Sequence, residues 1–252
     1  VSAAAPAWRS TLAMTAMELR LALRRGETLL ATIILPVVVL VFFSSIVTIP
    51  FGTGRPVDFL LPGSIAFAVI ATSLVSLGIT TGYDRYYGVL KRLGGSPLTR
   101  PELLTAKIAA VLVVEAVQVA LLVGVAALGL GWQAPAGTSV ALLVVCVLLG
   151  TLAFAGLGLL LAGVLRAETM LAVANILFVL SLVLGGIVVP IDHLPAPLAA
   201  IAGALPAAAL SDALRVALGS SPAPPDATGS LVLLAIWGVA AILLAARTFR
   251  WE

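Results

Sequence analysis

Charge is scarce in this chain. Of its 252 residues, 10% are charged and 62% are hydrophobic. Soluble domains carry about 25% charged residues. A chain this poor in charge cannot clothe a water-facing surface, so lipid is the solvent it is built for. Residues 1–252 read as one membrane domain with no soluble domain beside it. Cysteine is rarer still. Cys146 stands alone in an apolar run, which leaves no intrachain disulfide and no thiolate metal cluster, only a small buried hydrophobe. Histidine is limited to His193, with no His-Glu-x-x-His run and no serine in a nucleophile frame beside it, so protease chemistry lacks its residues. The phosphate-loop pattern Gly-x4-Gly-Lys-Ser/Thr is missing too, because neither Lys91 nor Lys107 sits in such a frame. ATP is therefore not expected to bind here in that way. The spans lack the convergent polar groups of a membrane-embedded enzyme. No catalytic residue, no metal site and no cofactor in this chain are expected. The net charge of +3 is a poor argument for nucleic acid and is better read as asymmetry between loops.

What is abundant is long apolar runs. A span needs about 20 mostly apolar residues. Six segments qualify: 29–51, 59–83, 108–128, 139–165, 170–191 and 228–246. The third and fourth are divided at Gly129-Leu-Gly-Trp-Gln-Ala-Pro-Ala-Gly137, which is turn chemistry. The N-terminal run does not read as a signal peptide. Arg20, Arg24 and Arg25 precede an apolar stretch that lacks a small-residue cleavage site and continues to spanning length. Between the fifth and sixth spans lie Pro195, Pro197, Pro206, Pro222, Pro224 and Pro225. They enclose two apolar pieces, 198–205 and 207–218, each too short to cross. In the second, Leu210, Leu214 and Leu218 form a stripe and Asp212 lies off it. The expected fold is an all-α polytopic membrane protein with six transmembrane helices and short re-entrant or interfacial helices before the last span, an interfacial hairpin being the simplest form.

Orientation follows from lysine and arginine. With the N-terminus inside, twelve cations fall on inner segments (Arg9, Arg20, Arg24, Arg25, Arg85, Lys91, Arg92, Arg100, Lys107, Arg166, Arg247 and Arg250) and only Arg55 and Arg215 on outer ones. Both termini are thus expected in the cytoplasm of a multi-pass protein of the inner (plasma) membrane. Phe249-Arg250-Trp251 suits an aromatic and cationic anchor at that interface.

Three regions are candidates for function. The inner loop after the second span contains Asp84, Arg85, Gly88, Leu90, Arg92, Leu93 and Pro97. Residues 84–93 are expected to form a short charged helix stopped by Gly94, Gly95 and Pro97, after which Thr99, Pro101 and Glu102 start the third span with a capping box. This helix is either a grip for a docking partner or a basic loop that only obeys the inside rule. Residues 8–25 are expected to form an amphipathic interfacial helix, with Trp8, Leu12, Leu19 and Leu23 on one face and Arg9, Arg20 and Arg24 on its flank. Met14, Met17 and Leu21 lie on the far side. Within the spans, Glu115 is the ionisable group buried deepest, with Gln118 one turn on. A carboxylate there costs at least about 2.5 kcal/mol. It is either a substrate or gating contact or a hydrogen-bonded packing residue. The fourth span is dense in small residues, Gly150, Gly156, Gly158 and Gly163 among them, which is a packing signal.

These pieces in this order resemble the ABC-2 type permeases of drug and polysaccharide exporters, and the antibiotic and drug efflux subgroup in particular. The resemblance rests on the amphipathic helix at 8–25, on Asp58-Phe-Leu-Leu-Pro62-Gly63, and on Arg85-x-x-Gly88-x-Leu90-x-x-Leu93-x-x-x-Pro97-Leu98-x-Arg100. It also rests on Pro190, Leu194-Pro195 and Leu205-Pro206 of the outer hairpin, on Asp212-x-x-Arg215 and on Phe249-Arg250-Trp251. The resemblance implies a transporter of two permease chains, identical or homologous, and two ABC ATPase subunits that carry ATP and Mg2+. It makes 84–93 the coupling helix, makes the N-terminal helix its connecting neighbour, and runs the substrate path between two permeases. Members of the family usually carry two acids around the loop arginine. Here Asp84 takes the first place and Tyr86 the second. An apolar lining suits amphipathic drugs or lipids better than sugars or ions, and the subgroup resemblance implies antibiotics or other amphipathic drugs as cargo. A permease for a lipid or polysaccharide precursor, and a non-transporting structural membrane subunit, are the alternatives.

Overall fold

The computed structural model describes residues 7–24, 26–46, 55–95, 98–187, 191, 194–220 and 226–248, with side chains described for all but 7, 27–31 and 46. Among these residues there is helix and no strand. In chain order the helices are α1 (Ala7–Arg24), α2 (Gly26–Ile46), α3 (Pro56–Ile70), α4 (Leu77–Tyr86), α5 (Val89–Gly94), α6 (Arg100–Gly129), α7 (Val140–Val164), α8 (Ala167–Leu184), α9 (Ala196–Gly203), α10 (Pro206–Ala217) and α11 (Thr228–Thr248). A π-helical turn, Ala71–Ser76, joins α3 to α4 into one rod, Pro56–Tyr86. That rod, α6, α7, α8 and α11 are long and apolar enough to cross a membrane. The expected first span, 29–51, coincides with α2, whose described apolar stretch is Thr32–Ser45. Residues 47–51 lie outside the described residues, as do Arg25, Pro97, Pro190, His193 and 249–251. The chain is an all-α, multi-pass membrane protein.

Two span boundaries differ from expectation. The third span is expected to start at 108, after the charge of Lys107. The helix begins at Arg100, where the Thr99 side chain accepts from the Glu102 amide and the Glu102 carboxylate accepts from the Thr99 amide at 2.7 Å. Pro101 stands in the first turn, where its missing N–H is no loss. The fifth span is expected to reach 191, but α8 ends at Leu184. Gly185 closes its last turn by donating to the Ser181 carbonyl, and Gly186 turns the chain with φ +64°, a conformation that suits glycine.

In lipid, helices gain little from hiding apolar surface from one another, so close contact between backbones holds the bundle together. The centre of that contact is α7. Its glycines let neighbours come near: Gly156 faces Ala241 and Ile242 on α11, and Gly158 faces the carbonyls of Ser73 and Leu74 in the π-helical turn. A Cβ on residue 158 would stand 2.9 Å from the Leu74 oxygen and 3.0 Å from the Ser73 oxygen, and backbone cannot yield as a side chain can. Gly158→Ala is therefore expected to lower the unfolding midpoint in detergent by the equivalent of about 1–3 kcal/mol. Gly124→Ala, which meets open space, should leave the midpoint in place or raise it. Equal melting of the two variants would refute this packing.

The two ends of the bundle differ. One holds α1, α5, the start of α6 and most of the cations, and is called here the basic end. The other holds Arg55 and the α9–α10 pair, and is called the hairpin end. There the expectation of an interfacial hairpin needs correction. The two helices meet at 79°, and α10 is buried among α3, α7 and α11. Leu210 rests on Gly150. Ser139, at the entry to α7, donates to the Ala217 carbonyl at 2.8 Å. Trp237 Nε1 donates to the Ala204 carbonyl at 3.1 Å, some 14 Å along α11 from its first residue. The pair thus dips into the bundle and returns, which is re-entrant. Leucine periodicity alone concealed this, because Ala208, Ala209 and Ala213, away from the leucine stripe, are buried too and small enough to pack.

Candidate functional site

The basic end is organised around one amine. Lys107, two turns into α6, is 1% exposed. Its Nζ lies 2.8 Å from Glu18 Oε1 on α1 and 2.9 Å from Asp84 Oδ2 at the end of α4. A buried amine costs several kcal/mol unless it is well paired, and two carboxylates on two other helices do the pairing here. The same α1–α6 seam carries Ser10, whose hydroxyl donates to Glu102 at 2.8 Å, and Thr15, whose hydroxyl donates to the Ala106 carbonyl at 3.4 Å. The buried face of α1 is consequently Met14 with this polar row, while Trp8, Leu12 and Leu23 of the expected apolar face are exposed. That open face is where an interfacial helix would meet lipid.

Beyond Asp84 the expected helix over 84–93 is broken in two. Asp84 and Arg85 complete α4, and Gly88 with φ +70° turns the chain into the six-residue α5. Leu90 is fully buried, with Leu93 and Leu98 packed in the cluster around it. Arg92 stays exposed. Arg85 reaches sideways: its guanidinium donates to the Gly163 carbonyl at 2.5 Å and to the Leu165 carbonyl. Those groups close the C-terminal end of α7, whose last carbonyls have no helical partner. One short stretch therefore joins α1, α4, α5, α6 and α7.

Glu115 and Gln118 share α6 but serve different neighbours. Gln118 Nε2 donates to the Thr32 carbonyl on α2 at 2.9 Å, and its Oε1 accepts from Thr72 in the π-helical turn at 3.1 Å. Wide turns of this kind often sit at functional positions. Glu115 is fully enclosed and hydrogen-bonds Thr151 on α7. Its Oε1 has no partner among the described residues. Such enclosure makes it a tie between α6 and α7. Glu115→Gln, which keeps the shape and one hydrogen bond, is expected to change stability by less than about 1 kcal/mol and to leave transport and its pH profile in place. A shifted pH profile would instead put the carboxyl on the substrate's route.

At the hairpin end Pro195 immediately precedes α9, and Pro206 opens α10 at its first position, where proline is favoured. Arg215, 3% exposed, stacks over the Phe59 ring at 4.6 Å, pairs with Asp212 at 3.1 Å and donates to the Gly186 carbonyl. It ties α10 to α3 and to the turn after α8. Arg55, at the same end, donates to the Gly131 carbonyl at 2.5 Å and pins the α6–α7 connection. The candidate residues thus occupy three separate levels, with 84–93 and the hairpin at opposite ends and Glu115 with Gln118 between them.

The sequence pattern of the ABC-2 type transporter family matches residues 9–218, from α1 through α10. The chain belongs to that family. No curated protein matches it. As an ABC-2 membrane domain it is a permease subunit of an ABC transporter, a transport component of the kind that associates with ABC ATPase subunits. In the sequence of this ABC-2 permease, no periodicity marks Lys107 and Glu18 as partners. One signal was available: the capping box at Thr99 and Glu102 already starts the helix at Arg100, which puts Lys107 two turns inside it.

Proposed function

We propose that this ABC-2 permease is the membrane half of an exporter in the inner (plasma) membrane, with the basic end and both termini in the cytoplasm. Two such chains, identical or homologous, pair with two ATPase subunits that bind ATP and Mg2+. The cargo is an antibiotic or another amphipathic drug, which suits spans that offer so few polar groups. One observation carries the reading: the Glu18–Lys107–Asp84 junction fastens α1 and the 84–93 stretch to a spanning helix beside the end of α7. A push on α5 would therefore reach several spans at once. A ligand-driven change needs different binding energies in the two states, and nucleotide-driven closure of the ATPase pair supplies that difference from outside this chain.

The experiment has two arms. Single cysteines at Arg92 and Arg55 should label from opposite sides of intact cells, Arg92 only after permeabilisation. The complex purified through this chain should contain a nucleotide-binding protein, and cells lacking it should accumulate drug. External labelling at Arg92 would overturn the reading. So would a purified complex without an ATPase.

A further inference from the structure

Between the ends of α4, α7 and α11 and the start of α8 lies an open cleft of about 1250 Å3. It exceeds the roughly 300–1,000 Å3 of ordinary small-molecule pockets. Four arginines line it, Arg85, Arg100, Arg166 and Arg247, against one carboxylate, Glu168. The Arg85 guanidinium is engaged by the carbonyls that end α7. The other three come from separate elements: the first turn of α6, the α7–α8 connection and the last turn of α11. Among the described residues none of the three has a carboxylate within ion-pair distance. Three like charges that converge on one space repel one another and raise the local concentration of anions. Diffuse placement of cations at one end of a membrane protein does not require them to share a cavity.

We propose that this cleft binds a phosphoryl group, borne by an anionic lipid headgroup or by free phosphate. The guanidinium fork matches phosphate oxygens in pairs, and basic pockets between membrane helices at the headgroup level take anionic lipids. The rim suits an amphiphile. Val164, Tyr86 and Tyr87 line the cleft and are more than 60% exposed, so apolar and aromatic surface adjoins the cations where acyl chains would emerge. Binding adds charge balance to helix ends that come from distant parts of the sequence, and so holds α6, α8 and α11 together at that end. The proposal does not depend on transport or on sidedness, and its test reads neither.

The full-length chain in detergent is titrated with phosphatidylglycerol, with phosphatidylcholine and with inorganic phosphate, and binding is followed by native mass spectrometry and thermal shift. Phosphatidylglycerol or phosphate should bind well above phosphatidylcholine, and less as salt rises. Removing each arginine should weaken binding roughly fivefold, and the triple variant Arg100→Gln, Arg166→Gln, Arg247→Gln on the order of 100-fold. Should the triple variant not fold, Arg166→Gln alone reads the fivefold step. A control with Lys91 and Arg92 on α5, cations at the same end that do not line the cleft, changed to Gln should bind as the unaltered chain does. Selective binding of phosphatidylglycerol names a lipid as the source, and equal binding of phosphate names the free ion. Equal loss in control and triple variants would overturn the proposal. So would a triple variant that loses a co-purifying ATPase while binding both phosphoryl probes normally, which would assign the cleft to a protein contact.

Discussion

Lys107→Met should destabilise the purified permease by about 3–5 kcal/mol, the usual penalty for removing one side of a buried ion pair. The substitution keeps the length of the side chain but leaves Glu18 and Asp84 facing each other across the space the amine filled. Two carboxylates so placed repel, and neither has bulk water to relieve it, since each side chain is less than a fifth exposed. The expected signs are a much lower melting midpoint in detergent and protease access to α1. Rescue gives the sharper test. Combining Lys107→Met with Glu18→Gln and Asp84→Asn removes all three charges and keeps the volumes, and replacing a buried ion cluster by neutral groups of like size is often harmless. The triple variant should recover most of the lost stability. A single Lys107→Met protein that melts with the unaltered one would remove the junction from the account. Failure of the triple variant to recover would mean that shape, not charge, holds α1 in place.

Gly88→Pro should abolish ATP-driven transport while the spans remain folded. The glycine has φ +70°, and proline locks φ near −65°. The substitution also deletes the N–H that donates to the Arg85 carbonyl at 3.0 Å. The turn between α4 and α5 cannot form in that state, so Leu90 leaves its buried seat and α5 loses its angle to the bundle. Unseating Leu90 should lower the melting midpoint, by up to the roughly 2–5 kcal/mol of a lost buried leucine, but the spanning helices, which the turn does not enter, should stay folded. Gly88→Ala meets no neighbour and pays only the left-handed penalty of about 1–2 kcal/mol. It should retain part of the activity. Vesicles loaded with drug and supplied with the ATPase measure this, and full transport by the proline variant would dismiss α5 as a docking element.

How far the sequence could be read depended on the kind of signal. The spanning helices were legible because lipid demands length and apolarity, both of which are written in consecutive residues. The cap at Thr99 and Glu102 was legible for the same reason, since its partners are three residues apart. Contacts between distant residues were not. Glu18 and Lys107 are 89 positions apart, and nothing periodic marks them as partners. By its charge Lys107 reads as the end of a span, whereas its two carboxylates allow it to lie inside one. The burial of α10 was hidden because its packing surface beyond the leucine stripe is made of alanines, which hydrophobic periodicity undervalues. The break at Gly88 was hidden because a helix of ten residues and two short ones have much the same composition. The position of Arg215 over Phe59 depends on the re-entrant path of the chain, which only the folded bundle reveals.

The early stop of α8 bears on the membrane itself. Eighteen residues rise about 27 Å, a few Å less than the roughly 30 Å hydrocarbon layer of a typical bilayer, and most of this helix is open at its side. Acyl chains that abut it must shorten or splay to match. The leaflet there is under compressive strain of fractions of a kcal/mol per Å, and that strain lessens wherever another protein surface replaces lipid along the short helix.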